Sequence, residues 1–566
     1  MTRLLTDKEI QNILDFIKPN SKLPPETAKS IVNNHKNRLI KQLKNQKIYP
    51  ELIPELKKQL ELNYIKSMIS PGESIGILAA QSIGEKQTQN SIDYNEEIIV
   101  KYYGEIKKMK IGVFIDEYLS TLGSIKIDEH SEVQKCENIF IQSVTDDEKI
   151  EWKPISEVSR HSPKGNLIKV TTESGRSVIS TLSHSHLKKD KRKVVPVLGS
   201  DLKLEDRIPV IKNSFSINNC NTKKIDITYY IKYDRIGIYE YDSDGSTPLN
   251  SPTNKNNEEY VFVRRESFRK FIDIDNIFIE FLGLFVANGI FSNNFHRDEI
   301  TVSNKDRYDQ QIYELIETLC IKYKIEFNCI QSGLYFFQSF KDNKTTEYNI
   351  RSKIFTKFLM SLIIKDEEKR VPDFIFGLER DSIQLFLCSY FKEGGFDCKY
   401  NSVNKDIQFL LTYFGIYSRI IDDKLYIPCE YKNLFYYEFG FEINENNLEN
   451  TFHTINDHEL NEEVTRLSKS LYKTGEQIKI NTYEDLDNFF ADYITEINKY
   501  NIGDIPENIK YLSQIKHGDV VWEKIVKMEL IEEKDYKHPY VYDFTVPGTE
   551  SFALFSGIVV HNTLNT

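Results

Sequence analysis

Apolar positions along the chain change their period three times. Leu5, Ile10, Ile13, Leu14 and Ile17 recur at helical spacing, so residues 1–68 are expected to form a small helical bundle. Pro24-Pro25 breaks that pattern, and a second, Lys-rich helix is expected to about Leu43. Near Ser70 the start signals of another helix converge. Ser70 suits the cap, Pro71 the first helical position, and Glu73 closes a capping box. That helix runs through SIGILAAQSIGE, where small residues leave room for a close neighbour. From Ser91 the texture becomes β: EEIIVKYYG, NLIKVTTESGRSVIST and VVPVLGSDLKLEDRIPV alternate β-branched runs with turn residues. Residues 212–260 are Asn- and Ser-rich, 261–440 mix helix and strand patterns, and 445–500 are charged and helical. From Gly518 short strands return. Two β-rich stretches thus bracket a mixed insertion. They are either halves of one β-domain interrupted at a tolerant loop or two separate β-domains.

Composition narrows the class. At 566 residues the chain exceeds one hydrophobic core, so three or more domains are expected. No run of about 18 apolar residues predicts a membrane span, and MTRLLTDKEI lacks the basic flank and apolar run of a secretory signal. The seven cysteines contain no CxxC pair, which supports neither a zinc site nor a disulfide framework and fits a reducing compartment. A net charge of −11 argues against nucleic-acid binding by the whole surface.

The segment PGESIGILAAQSIGEKQTQ, residues 71–89, closely resembles the stretch that leads into the trigger loop in the largest subunit of multisubunit DNA-directed RNA polymerases, the C-terminal archaeal type in particular. In that family TQ is followed by one apolar residue and TLNT. Here TQN stops at Asn90, and TLNT occupies 563–566. Removing 91–562 restores the family spacing, with Asn90 in place of the usual Met. The resemblance places Gln89, Leu564 and Asn565 in the trigger loop. It implies nucleotidyltransfer with Mg²⁺, other polymerase subunits and DNA and RNA as partners.

The removable piece resembles inteins from end to end. Ser91-Ile92-Asp93-Tyr94 followed by EEIIV is similar to the N-terminal motif. GRSVISTLSHSHL carries Thr181 and His184 in a TxxH pattern. YVYDFTVPGTESF and GIVVHN are similar to the two C-terminal motifs, ending at His561-Asn562 before the hydroxyl of Thr563. The chemistry needs these residue types. The Ser91 hydroxyl sits beside its own amide and can attack the Asn90 carbonyl, turning amide to ester. That shift is uphill unless the peptide is destabilised, and backbone strain can store about 1–3 kcal/mol. The resemblance implies that Thr181 and His184 hold the scissile amide, with His184 protonating the departing nitrogen. Thr563 then attacks the ester, Asn562 cyclises through its side-chain nitrogen, His561 polarises that carbonyl or moves a proton, and Asp543 supports the Thr563 step. No cofactor is implied for splicing. The family often has His where Glu550 stands, so an assisting imidazole is expected to be missing or supplied elsewhere.

Within the insertion, Phe281–Gly289 (FLGLFVANG) and Phe386–Gly394 (FLCSYFKEG) align without gaps, with Lys369-Arg370-Val371-Pro372 between them. These segments resemble LAGLIDADG homing endonucleases. The resemblance implies two closely packed helices whose terminal residues, Asn288 and Glu393, hold Mg²⁺ against double-stranded DNA, with Lys369 as the basic residue. Only Glu393 of that pair carries charge, and 261–440 holds slightly more Asp and Glu than Lys and Arg. Cutting is therefore expected to be weak or lost.

The reading is multidomain. A helical polymerase fragment occupies 1–90. An all-β horseshoe splicing domain is split into 91–211 and 518–562 around an α/β LAGLIDADG-like insertion, 212–517, and 563–566 begins the downstream flank. The expected function is autocatalytic splicing that joins Asn90 to Thr563. An active site-specific DNA endonuclease and a polymerase subunit with a static insertion are the alternatives. The expected setting is intracellular, soluble and reducing: cytoplasm, or nucleus or virus factory.

Overall fold

The computed structural model describes residues 3–18, scattered positions within 29–46, and 47–66. It further describes 91–126, 131–190, 193–214, 223–231, 237–241, 258–263, 266–291, 299–304, 309–332, 345–392, 394–443, 445–449 and 517–562. The chain divides into two units, Met1–Gly84 and Glu85–Thr566.

In the first unit, Thr6 caps the helix Asp7–Ile13. Its backbone N–H donates to Glu9 Oε2 at 2.9 Å while its hydroxyl accepts from the Glu9 N–H, satisfying two donors that a helix start leaves open. Leu5, Ile10, Ile13, Leu14 and Ile17 are all buried together with Leu43, as their spacing predicts. Ile53–Lys66 forms a further helix. The helix expected from Ser70, and the Pro24-Pro25 break, lie outside the described residues.

In the second unit, four antiparallel sheets are built from strands before residue 212 and after 517. Three of the four mix both sources. Val520–Ile531 pairs with Leu167–Thr172 on one edge and Arg207–Ile211 on the other. Val541–Thr545 pairs with Glu157–His161. Val559–His561 lies between Ser185–Asp190 and Ser551–Ala553. The fourth sheet runs Glu105–Lys110, Glu97–Tyr102, Ile139–Val144, Ile150–Pro154. One apolar cluster serves them all, with Ile98, Val158, Val178 and Ile208 from the first stretch against Ile525, Phe544, Phe552 and Val560 from the second. The two β-rich stretches are therefore one body, and the separate-domain alternative does not hold.

The insertion's core is built on a pair of helices, Asn276–Asn288 and Arg380–Lys392, and takes in Ile99 and Phe555 of the β body. Asp275 caps the first, accepting from the Phe278 N–H at 3.0 Å. Gly283 permits the contact: a Cβ there would lie 2.4 Å from the Phe386 carbonyl oxygen. Ser389 Oγ donates to the Glu280 carbonyl at 2.7 Å across the same seam. A four-stranded antiparallel sheet, Gly289–Phe291, Glu299–Asn304, Thr345–Arg351, Glu326–Ser332, packs beside them.

Buried ion pairs fasten the insertion to the β body. Asp406 accepts from Lys108 Nζ at 2.6 Å, Arg370 Nη2 at 2.7 Å and the Val371 N–H at 2.9 Å, and Arg370 also reaches Glu97 at 2.6 Å. Burial alone would raise the Asp406 carboxyl, yet Lys108 and Arg370 hold it below its ordinary value. A second cluster joins Glu523 to Arg176, Ser174 and the Tyr417 hydroxyl. No helix among the described residues is long and apolar enough to cross a membrane.

Candidate active site

Ser91 enters the β body at the edge of Val541–Thr545. Ile92 exchanges backbone hydrogen bonds with Tyr542 at 2.8 and 3.0 Å, and the Asp93 N–H donates to the Ile179 carbonyl. Side chains alternate across a strand. Ile92 shares the Tyr542 face, so Ser91 points to the opposite one. The register sets Asp543 against Ser159 and Val541 against His161, which places Asp543 and His161 on that same face. The Ser91 hydroxyl, fully buried, meets His161 Nε2 at 2.5 Å. His161 Nδ1 faces the Ser162 carbonyl oxygen at 3.0 Å.

The TxxH motif follows from the next strand. Thr181 ends Ser177–Thr181, and its N–H donates to the Ser91 carbonyl at 2.9 Å. Thr181 thus grips Ser91 through its backbone. The Thr181 carbonyl accepts from the His184 N–H at 3.0 Å, closing a tight turn. The His184 ring is fully buried, and neither nitrogen has a hydrogen-bond partner among the described residues. Burial, with His186 and His561 nearby, pushes it well below the ordinary imidazole value, so it is neutral near pH 7.

The C-terminal motifs arrive on the neighbouring sheet. His561 lies opposite Ser185 on one side and Ser551 on the other. Burial pushes it down to about 4, and its Nδ1 has no hydrogen-bond partner among the described residues. The Asn562 N–H donates to the Glu550 carbonyl at 2.9 Å, while both atoms of its side-chain amide are buried and unpartnered there. Glu550 holds this contact from a left-handed backbone, φ +48°, closing a turn back to Val546 at 3.1 Å. The residue that replaces the expected His is thus a backbone anchor for Asn562. Asp543 is buried, with Oδ1 accepting the Phe544 N–H at 2.8 Å. Desolvation raises its carboxyl well above the ordinary range.

The structure therefore brings Ser91, Thr181, His184, Asp543, His561 and Asn562 into one β body. Thr563, Gln89, Leu564, Asn565 and Glu393 lie outside the described residues. Asn288 and Lys369 belong to the insertion. Asn288 ends its helix beside Gly394, where a Cβ would stand 3.8 Å from the Asn288 amide. Lys369 Nζ is buried, donating to the Phe285 and Gly289 carbonyls at 2.9 and 2.8 Å, and burial pushes it down to about 8. It caps the end of the helix that carries Asn288. Among the described residues no three His, Cys, Asp or Glu side chains are grouped to hold a metal ion. His161 carries no signal in the sequence. A single His within a strand has no spacing signal, and only the strand pairing brings it to Ser91.

The profile of the intein splicing domain family matches residues 85–562. Among curated proteins, the DNA-directed RNA polymerase subunit Rpo1C of Methanocaldococcus jannaschii is 29% identical over 542 residues, covering 89% of this chain and 58% of that one. The transcription initiation factor IIB of the same organism is 24% identical over 84% of this chain and 50% of its own. The chain thus spans between half and three-fifths of the length of these relatives. The crystal structure of the transcription factor IIB Mvu mini-intein is 33% identical, covers 22% of this chain and 70% of that one, and superposes with a TM-score of 0.21.

Proposed function

The chain belongs to the intein splicing domain family, and from that premise we propose that it excises 91–562 and joins Asn90 to Thr563. The observation that carries the reading is the meeting of both ends in one β body: Ser91 is tied to Thr181, its neighbour Ile92 to Tyr542, and His561-Asn562 to Ser185 and Glu550.

The site's protonation states suit the sequence of steps. Ser91 Oγ attacks the Asn90 carbonyl, forming an ester and freeing the Ser91 amine. Thr563 Oγ attacks that ester, moving residues 1–90 onto its own side chain. Burial favours the neutral form of the Asp543 carboxyl, which suits a role in supporting this step. Asn562 Nδ2 then attacks its own carbonyl carbon, closing a succinimide and releasing the Thr563 amine. Its amide has no competing hydrogen bond to break among the described residues. Neutral His561 and His184 can accept protons at neutral pH, where a charged imidazole could not. The Thr563 ester finally rearranges to an amide.

The test is intact-mass analysis after expression. Splicing yields a fragment spanning 91–562 and the peptide 1–90 joined to Thr563-Leu-Asn-Thr. An uncut chain of 66.4 kDa as the sole species would refute it.

The host is read as the trigger-loop region of an RNA polymerase largest subunit. That reading rests on residues 71–89 and on the similarity to Rpo1C, and it makes other polymerase subunits, DNA and RNA the partners of the spliced product. The paired helices around Gly283 support a LAGLIDADG-type insertion. Asn288 and Glu393 bring only oxygen donors, suited in kind to Mg²⁺, but a single carboxylate to offset phosphate charge. The proposed state is therefore a nuclease with little or no cutting.

A further inference from the structure

We propose that His161 is the base of the first splicing step, taking the proton from Ser91 Oγ and returning it to the departing nitrogen. The assignment rests on the splicing reading and adds a residue to it.

The geometry fixes the direction of the hydrogen bond. A carbonyl oxygen only accepts, so His161 Nδ1, 3.0 Å from the Ser162 carbonyl, carries the ring proton. In the neutral ring Nε2 then offers a lone pair. Ser91 Oγ, 2.5 Å away, donates its O–H to it. Both residues are buried, Ser91 completely and His161 to within 7%. The arrangement is that of an activated hydroxyl nucleophile: an imidazole in contact with the O–H, its tautomer set by a partner on the far nitrogen. Strand pairing holds it rigidly. His161 sits between Val541 and Ser131 in the middle of a sheet, and the strand of Val541 also pairs with Ile92.

The step balances with this one residue. As the Oγ–C bond to Asn90 forms, the Oγ proton passes to His161 Nε2. As the C–N bond breaks, its electron pair stays on the Ser91 nitrogen, which takes the proton back from Nε2. One C–O bond replaces one C–N bond, one proton moves from oxygen to nitrogen, and His161 ends as it began. Serine needs such a base, because its hydroxyl does not ionise near neutrality. A cysteine thiol at pKa about 8.5 largely does not need one.

The experiment uses the full chain with Asn562→Ala, so that the ester accumulates and hydroxylamine releases residues 1–90. His161→Ala and His161→Gln should both slow this release by about 100-fold or more, the usual contribution of general base catalysis. Gln retains a polar contact without basicity. Adding Ser91→Cys to either variant should bring release back to within a few-fold of the chain carrying Ser91→Cys alone. Unchanged release in His161→Ala overturns the assignment. So does slow release that Ser91→Cys fails to restore, which would mark His161 as scaffolding, with the melting temperature reporting any loss of fold. If the chain with His161 intact releases nothing, the ester step and the splicing reading fail together.

Discussion

Phe555 stacks on Phe409 with ring centroids 4.8 Å apart, although the first belongs to the hairpin that ends at Asn562 and the second to a helix of the insertion. Phe376 meets the same ring edge-on at 5.3 Å, and Lys108 Nζ lies 4.1 Å above it. The Phe555 N–H in turn donates to the Glu97 carbonyl at 2.8 Å. The insertion therefore packs on the hairpin that ends at Asn562.

Asp406→Ala is expected to cost about 3–5 kcal/mol, because it leaves Lys108 and Arg370 buried without their shared carboxylate. Through Phe555 the damage should reach the splice site. Denaturant unfolding followed with splicing yield checks both, and an unchanged midpoint would show the cluster to be unimportant.

Ser91→Ala and Asn562→Ala should separate the two junctions. The first abolishes the ester and any branched species but leaves cleavage after Asn562. The second blocks that cleavage and accumulates hydroxylamine-sensitive ester. Normal ligation in Asn562→Ala would remove Asn562 from its role.

Acid should weaken the fold through buried imidazoles. Burial pushes His186 down to about 4, whereas the unfolded chain protonates it near pH 6.5. Between those values the unfolded state binds more protons, so this contribution is complete above about pH 6.5 and lost as pH falls to about 4. Relative to His186→Gln, the native chain should lose up to about 3 kcal/mol across that window. Denaturation of both across pH 4–7.5 checks it; parallel curves would contradict it.

Cutting of DNA that carries the uninterrupted host sequence should be absent or slow in Mg²⁺, and Asn288→Asp should raise it. Rapid cutting by the native chain that survives Glu393→Gln would refute the assignment of these two positions.

Much of this was legible in sequence because the signals were local. The spacing of Leu5 to Ile17, the TxxH turn and the terminal His561-Asn562 declare themselves within a few residues. The close helix pair was legible only because Phe281–Gly289 and Phe386–Gly394 form a repeated segment; the role of Gly283 in it comes from the structure. Non-local features were not legible. Asp406 looks like any helix carboxylate until Lys108 and Arg370 close on it. Lys369 carries a motif signature, yet here it satisfies two carbonyls at a helix end. His161 gains its meaning from a strand that begins at Val541.

The same strand pairing acts as a timing device. Ser91 is anchored next to Val541–Thr545 by the pairing of Ile92 with Tyr542, and Leu167–Thr172 of the same body pairs with Val520–Ile531. At roughly 5–20 residues per second of synthesis, Ser91 leaves the ribosome many seconds before those strands exist. Under the proposed splicing reading, Ser91 thus stays in an unassembled site until the whole insertion and Asn562 have been made. A chain broken off within the insertion would lack Val541–Thr545 and remain inert. On that reading, irreversible chemistry is reserved for chains that already carry the end to which residues 1–90 would be joined.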